Sequence, residues 1–348
     1  MSTLVVPVLA RLAPLARTHV CHSEIVRSPM HAFRPFGFAA ALAVFSSLAP
    51  TAGAQDPPPE AAPSFSVAPD PAPPGRGSAG MEPSTGSFVR LISIEVPPFH
   101  GIEPRLTLAY SSQAGNGFVG VGWRLGGFGV VERTRNGRGT PRFTSDDVFV
   151  LDGQELLPCS AAAQSPGCVA GGTHATKQES YARIRFDGST RTWTVWARNG
   201  VRTELAPVYQ ASGGTLRWGQ SRTVDTHGNT VSYAWECVGG DCYPASVSYG
   251  PFVVTLFRES GPRPDVLSFA TGGPSGLGKT RYRLGTILVA RGTSSIRAYR
   301  LGYVGSPATS RSLLGEVQQY GTDVQLAGGV VTGGTALPPQ TFRYRATE

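Results

Sequence analysis

An antiparallel all-β fold is predicted by three features of the 348-residue sequence. Apolar and polar residues alternate with period two over most of the chain after residue 82, the spacing that turns one strand face to a core and the other to water. Gly (44) and Pro (29) are abundant while charged residues make up only 16%, a composition of short strands joined by turns. No stretch of twelve residues combines a helical apolar period with caps, so no substantial helix is expected in the folded part. Hairpins in series of this kind pack as a β-sandwich or curve into a shell.

The N-terminal elements come first. Phe36 to Leu48 is an apolar run too short to span a bilayer, with Arg34 before it and Ala52-Gly53-Ala54 after it. A basic flank, an apolar core and an A-x-A site read as a secretory signal cleaved before Gln55, which leaves an exported chain without a membrane-spanning segment. Residues 1–29 fit poorly ahead of such a signal, and Met30 makes an ordinary start. Residues 55–82 hold eight Pro between positions 57 and 74 and are expected to form an extended tether, because they cannot bury enough apolar surface to fold. The folded domain is then 83–348. Loss of residues 1–54 removes four Arg and one Glu and brings the formal charge from +8 to +5.

Within the domain, Phe88 to Val96 and Arg105 to Tyr110 are strands separated by a turn rich in Pro and Gly. Tyr181 to Phe186 leads through Asp187-Gly188 to Thr192 to Ala197, and that strand turns at Asn199-Gly200, two residues that tolerate positive φ. Further strands are predicted at 229–235, 245–249, 252–258, 282–290, 296–303 and 341–345. Four Cys remain after export: Cys159 with Cys168, and Cys237 with Cys242. Two close pairs in an oxidising compartment predict two local disulfides; the alternative, one zinc held by four Cys, lacks the C-x2-C spacing.

Residues 272–280, GGPSGLGKT, match the phosphate-loop pattern through Gly273, Gly278, Lys279 and Thr280. A working phosphate loop opens a helix whose amides converge on the anion. Here RYRLGTILVARG follows, which alternates like a strand, so Lys279 reads as a solvated loop lysine and no nucleotide or other cofactor is expected. The Walker B-like VFVLD at 148–152 lies upstream and runs into a turn at Asp152-Gly153. His100, His174 and His227 have no ligand spacing, no G-x-S-x-G elbow occurs, and Asp146-Asp147 with Asp152 lacks the calcium-loop pattern. The Arg residues are scattered along alternating strands, which suits solvated faces and no nucleic-acid partner. Trp193, Trp196, Trp218 and Trp235 lie on or beside strands as packing residues; a carbohydrate-binding or adhesin-like surface is the alternative. Trp193 and Trp196 have opposite parity, which disfavours one flat stacking platform.

The stretch Asn116-Gly117-Phe118-Val119-Gly120-Val121-Gly122-Trp123, after PRLTLAYSSQ and before VVER and DVFVLDGQEL, resembles the SpvB-type N-terminal domain. That domain opens Salmonella virulence plasmid B proteins and the B components of insecticidal Tc toxin complexes. VDTHGNTVSYAW, YPASVSYG, RLGTILV, YRLGY, SLLGEVQQYG and LPPQTFRY continue the likeness in order, over roughly 83–344. DTHGN is similar to the turn of Rhs repeats, in which Asp225, Gly228 and Asn229 would form the hairpin and Tyr233 would pack across it. The resemblance implies a curved Rhs-like shell, a secreted structural module of a toxin-complex or virulence protein, and other toxin-complex, Rhs or propeller modules as partners. In some such proteins an ADP-ribosyltransferase ends the chain. The sequence has no Glu-x-Glu, a hallmark of that transferase, so a non-catalytic chain is expected.

Overall fold

The computed structural model describes residues 78–344 except 84, 138 and 273–275. The expected signal, the Met30 start, the tether up to residue 77 and Gly273 of the phosphate-loop pattern lie outside the described residues.

Strands β1 (Ala79–Met81), β2 (Phe88–Ser93) and β3 (Thr107–Ser111) run antiparallel. A two-residue hairpin, β4 (Asn116–Gly117) and β5 (Gly120–Val121), follows, and β6 (Trp123–Gly126) returns to pair with β3 and complete a four-stranded sheet. β1 falls inside the stretch expected to be tether. Its three side chains are exposed, and it is held by backbone pairing along β2, from Ala79 against Arg90 to Met81 against Phe88, which needs no apolar side chain.

The next strands are β7 (Val130–Arg135), β8 (Asp147–Leu151), β9 (Gln154–Pro158), β10 (His174–Thr176), β11 (Arg183–Asp187), β12 (Thr192–Trp196), β13 (Arg202–Ala211) and β14 (Gly214–Val224). Each pairs with the one before it, and β14 also pairs with β7 through Arg217–Gly219, so the eight strands close into a barrel. Val131, Leu156, Ile184, Trp193, Leu205 and Trp218, one from each of six strands, fill its interior at 1% exposure or less. An eight-stranded barrel is just wide enough to be filled by side chains in this way. The single helical turn among the described residues, α1 (Pro166–Val169), sits between β9 and β10, where Cys168 is bonded to Cys159.

Beyond the barrel, β14 passes from β7 to a new partner: its last residues, Arg222–Val224, pair with β15 (Thr230–Val238). A second sheet continues through β16 (Asp241–Tyr249), β17 (Phe252–Arg258), β20 (Leu284–Arg291), β21 (Ser294–Gly305) and β22 (Ser312–Tyr320) to the short edge β25 (Gln340–Thr341). Two separate hairpins, β18 (Leu267–Ala270) with β19 (Leu277–Thr280) and β23 (Gln325–Ala327) with β24 (Val330–Gly333), stand off this sheet. Its inner face packs on the N-terminal sheet: Ile92, Leu108 and Trp123 share one core with Val247, Val254, Ile287, Leu301 and Val317. Cys237 and Cys242 face each other across β15 and β16 and are bonded, so both disulfides expected from spacing are present. The all-β antiparallel class holds, with the sandwich joined to a barrel that alternation alone did not announce.

His174 lies at the barrel wall, its ring 4.8 Å from Trp193 and 5.9 Å from Phe149, and this burial lowers its pKa to about 4. An unfolded His takes up its proton near 6.5. Between those values the unfolded chain therefore binds the extra proton, and stability falls as pH drops from about 6.5 to 4. Because the ring is only partly buried, the effect is expected to be about 1–2 kcal/mol. Across that window the thermal midpoint of the wild type should fall relative to that of His174→Phe as pH drops; parallel curves would contradict the assignment.

Candidate functional site

The 116–123 motif folds as a knot between the two sheets. Gly120 has φ +89°, and a Cβ there would stand 2.8 Å from the Ser312 carbonyl oxygen. Gly122 has φ +79°, and its Cβ would meet the Tyr110 ring at 2.4 Å. Only glycine satisfies both the backbone and the space. Trp123 is 3% exposed; its Nε1 donates to the Tyr344 hydroxyl (2.8 Å), which donates in turn to the Leu314 carbonyl (2.8 Å).

Asn116 leads to the buried charge of the knot. Arg263, whose side chain has no exposure, donates from Nε and Nη2 to the two oxygens of Asp265 (2.8 and 3.0 Å). It also donates to the Gly117 carbonyl (2.7 Å) and to Asn116 Oδ1 (2.7 Å). Asp265 further accepts from Asn116 Nδ2 (2.9 Å), from the Ser312 amide (2.7 Å) and from the Ser312 hydroxyl. Burial opposes its ionisation, but the hydrogen bonds from Arg263, Ser312 and Asn116 outweigh it and hold the carboxyl well below the usual range. Sequence reading found Asn116 and the glycines but missed Arg263, Asp265 and Ser312. Their only local signal is the short R-x-D within the loop between β17 and β18.

The second motif group forms a separate turn. Asp225 Oδ1 accepts from the amides of His227 and Asn229 (both 2.8 Å), Oδ2 accepts from Asn229 Nδ2 (2.7 Å), and Gly228 takes φ +88°. Tyr233 contacts Phe128 edge-on at 5.4 Å. No hydrogen bond joins this turn to residues 116–123 among the described residues.

A cleft of about 1000 Å³ opens beside the knot, lined among others by Asn116, Trp123, Arg217, Asp241 and Thr280. The phosphate-loop pattern borders it, and Gly278, Lys279 and Thr280 belong to strand β19, paired with β18, with the Gly278 α-carbon against the Phe269 ring. The Lys279 amide donates to the Gly240 carbonyl (2.9 Å), and its side chain is exposed. Thr280 is buried, its hydroxyl donating to Asp241 Oδ2 (2.7 Å), while Arg217 bridges Asp241 and Glu132 at 2.9 Å each. Gly278–Thr280 therefore lie in a paired strand, where a phosphate loop has the turn that opens a helix, and Lys279 is a strand residue in place of the loop lysine expected. Asp152 of the VFVLD stretch sits in a turn at φ +47° and accepts from the Val130 amide (2.8 Å). His100 and His227 are exposed on separate loops, far in sequence from His174. Trp193 and Trp218 lie inside the barrel, Trp235 donates to the Gln220 carbonyl (2.8 Å), and Trp196 is covered by Arg183 at 3.8 Å.

Comparisons with known proteins agree with the motif. Residues 82–194 match the family model described as Salmonella virulence plasmid 65kDa B protein. Mono(ADP-ribosyl)transferase SpvB of Salmonella typhimurium is 26% identical over 196 residues, covering 48% of this chain and 33% of that protein. Its counterpart from Salmonella choleraesuis is 27% identical over 201 residues, 49% and 34% of the two chains. The chain thus spans about a third of the length of these relatives. Among solved structures, the N-terminal domain of effector protein SpvB from Salmonella typhimurium aligns with a TM-score of 0.53 at 18% identity, covering 66% of this chain and 98% of that one. TcdB2-TccC3 aligns with a TM-score of 0.60 at 16% identity over 77% of this chain and 17% of that one. The Photorhabdus luminescens Tc holotoxin pore gives 0.60 at 18% identity, 77% and 16%. At these identities the structural likeness is one of fold.

The expectation of a non-catalytic chain is corrected by these matches: the curated relatives are named as mono(ADP-ribosyl)transferases. Activity of this segment is not thereby established, since the match covers about half of this chain at 26% identity. Absence of Glu-x-Glu was too narrow a test, because it asked for one motif in a chain that aligns with only a third of those proteins.

Two outcomes follow for the site. Arg263→Ala should destabilise the protein by about 3 kcal/mol, because Asp265, only 11% exposed, loses its charged partner, and the double variant Arg263→Met/Asp265→Leu should recover part of that loss. Denaturant unfolding of both variants decides it; an Arg263→Ala protein as stable as wild type would refute the clamp. In the phosphate-loop stretch, Lys279→Ala should cost under about 0.5 kcal/mol. Thr280→Val should cost about 1–3 kcal/mol by leaving a buried Asp241 oxygen unmet. The reverse order in thermal melts would mean that the lysine has a role the strand geometry does not provide.

Proposed function

We propose that this chain, which carries an SpvB-type domain, is an exported structural module of a toxin-complex or virulence-type Rhs-related assembly, packing against Rhs or propeller modules. The observation that carries the reading is the internal use of the motif. The side chains of Asn116 and Trp123 and the close approach at Gly120 are used in holding the N-terminal sheet to β22 and the 263–265 loop, which supports a structural role for the motif. The fold likeness to Tc components over about three quarters of the chain supports the same reading. Among the described residues no helix is long and apolar enough to cross a membrane. The signal-like segment 36–48 supports export through the ordinary secretory route.

The carbohydrate-binding alternative gains nothing from the aromatic residues, since Trp193 and Trp218 are enclosed and Trp196 is capped by an arginine. Cross-linking mass spectrometry on exported native material tests the proposal. The chain is expected to start at Gln55, to elute in a complex above its own mass, and to cross-link to Rhs-type or propeller modules. A protein retained in the cytoplasm, or one that runs alone at monomer size, would overturn it.

A further inference from the structure

The outer wall of the barrel gathers arginines that lie far apart in sequence. On β11 and β12, Ile184 and Val195 face the interior, so their neighbours Arg183, Arg185, Thr194 and Trp196 face outward. Across the strands Arg183 stands opposite Trp196, and Trp196 opposite Arg202. In the next row Arg185 stands opposite Thr194, Thr194 opposite Glu204, and Glu204 opposite Arg222. The Arg183 guanidinium lies 3.8 Å above the Trp196 ring, and that of Arg198 lies 5.0 Å from the ring of Tyr181, which is 55% exposed. Glu204 is the one acid in these two rows, and it is already paired with Arg202 at 3.1 Å. No carboxylate among the described residues lies within ion-pair distance of Arg183, Arg185 or Arg198.

We propose that this wall docks an acidic segment of a partner protein, with Asp and Glu carboxylates taken by the outward edges of Arg183, Arg185 and Arg198. Charge is one reason, since the rows carry an excess of unpaired positive groups. Geometry is the other. A guanidinium stacked on an indole keeps its N–H fork directed away from the ring and loses little side-chain freedom on pairing with a carboxylate, which it can meet with two parallel hydrogen bonds. The same stacking argues against single-stranded nucleic acid and sugars held by ring stacking. Those modes use a free aromatic face, and the faces of Trp196 and Tyr181 are each approached by an arginine. The surface stands apart from the assembly reading above, because peptide capture needs only this wall; either result can fail while the other holds.

Fluorescence anisotropy of the full chain with a labelled Glu- and Asp-rich peptide tests it. Binding is expected to be saturable, to weaken with added salt, and to fall more than about tenfold in Arg183→Glu/Arg185→Glu, as two charge-assisted pairs are replaced by repulsion. Arg183→Lys/Arg185→Lys keeps the charge but loses the fork, and should weaken binding by more than about threefold. Arg185→Glu alone, at an exposed position, serves if either double variant fails to fold, and should still cost several-fold. Equal binding by the charge-reversed proteins would overturn the proposal. So would a Lys variant indistinguishable from wild type, which would mean unspecific attraction. Heparin or a single-stranded DNA oligonucleotide displacing the peptide at equal concentration would assign the wall to another class of ligand.

Discussion

The Arg263 guanidinium, fully withdrawn from water, holds together chain segments about 50 to 150 residues apart: the 116–117 hairpin, its own loop and, through Asp265, the start of β22. A charge in that position is tolerable only if its donors find acceptors, and here Asp265, Asn116 and the Gly117 carbonyl supply them. Asp265 is satisfied in turn by Asn116 and Ser312, so the network has few ways to rearrange without stranding a buried polar group. The glycines of the motif follow from this closure. With the hairpin drawn down onto Ser312, no room remains for a Cβ at Gly120. Trp123 completes the join by reaching Tyr344 and, through it, Leu314.

The other organising element is β14, an eleven-residue strand that serves both halves of the chain. Its middle closes the barrel against β7, and its end starts the second sheet against β15. Two cores result, one enclosed by eight strands and one between two sheets. Closure leaves the barrel without free edges, so its outer wall offers side chains, and not backbone, to any partner. That makes the arrangement of outward residues on β11 to β13 the feature by which the wall can be distinguished chemically.

Several expectations from the sequence hold because their causes are local. Alternation places strands at 88–96, 192–197, 252–258 and 282–290 to within a few residues, and the close spacing of the cysteines is enough to pair them. β1 escapes because it contributes only backbone. RYRLGTILVARG forms a strand, as its period predicts, whereas Lys279, read as a loop residue, belongs to β19, because pairing with β18 makes a strand of that stretch. Arg263 and Asp265 are invisible by contrast. Two charged residues in a Pro-containing loop read as solvent-facing until the fold closes over them. The expectation of a non-catalytic chain fails for another reason: it weighs one missing motif against relatives three times as long as the aligned part.

What the sequence determined by itself was everything written within about ten residues: strand period, turn positions, both disulfides, and the glycine-rich motif. Pairing between distant strands lay beyond it, because hydrogen bonds along a strand edge are identical whichever neighbour supplies them, and only burial selects among the options. Tertiary structure therefore decided the barrel, the Arg263 clamp and the wall on which arginines scattered from 183 to 222 become neighbours. In sequence only Arg183 and Arg185 stand two apart on one strand, and the others lie on separate strands or in the turn after β12. In the folded chain the pleat turns Arg183, Arg185, Arg202 and Arg222 to one side, and strands about 4.8 Å apart bring them within reach of a single ligand.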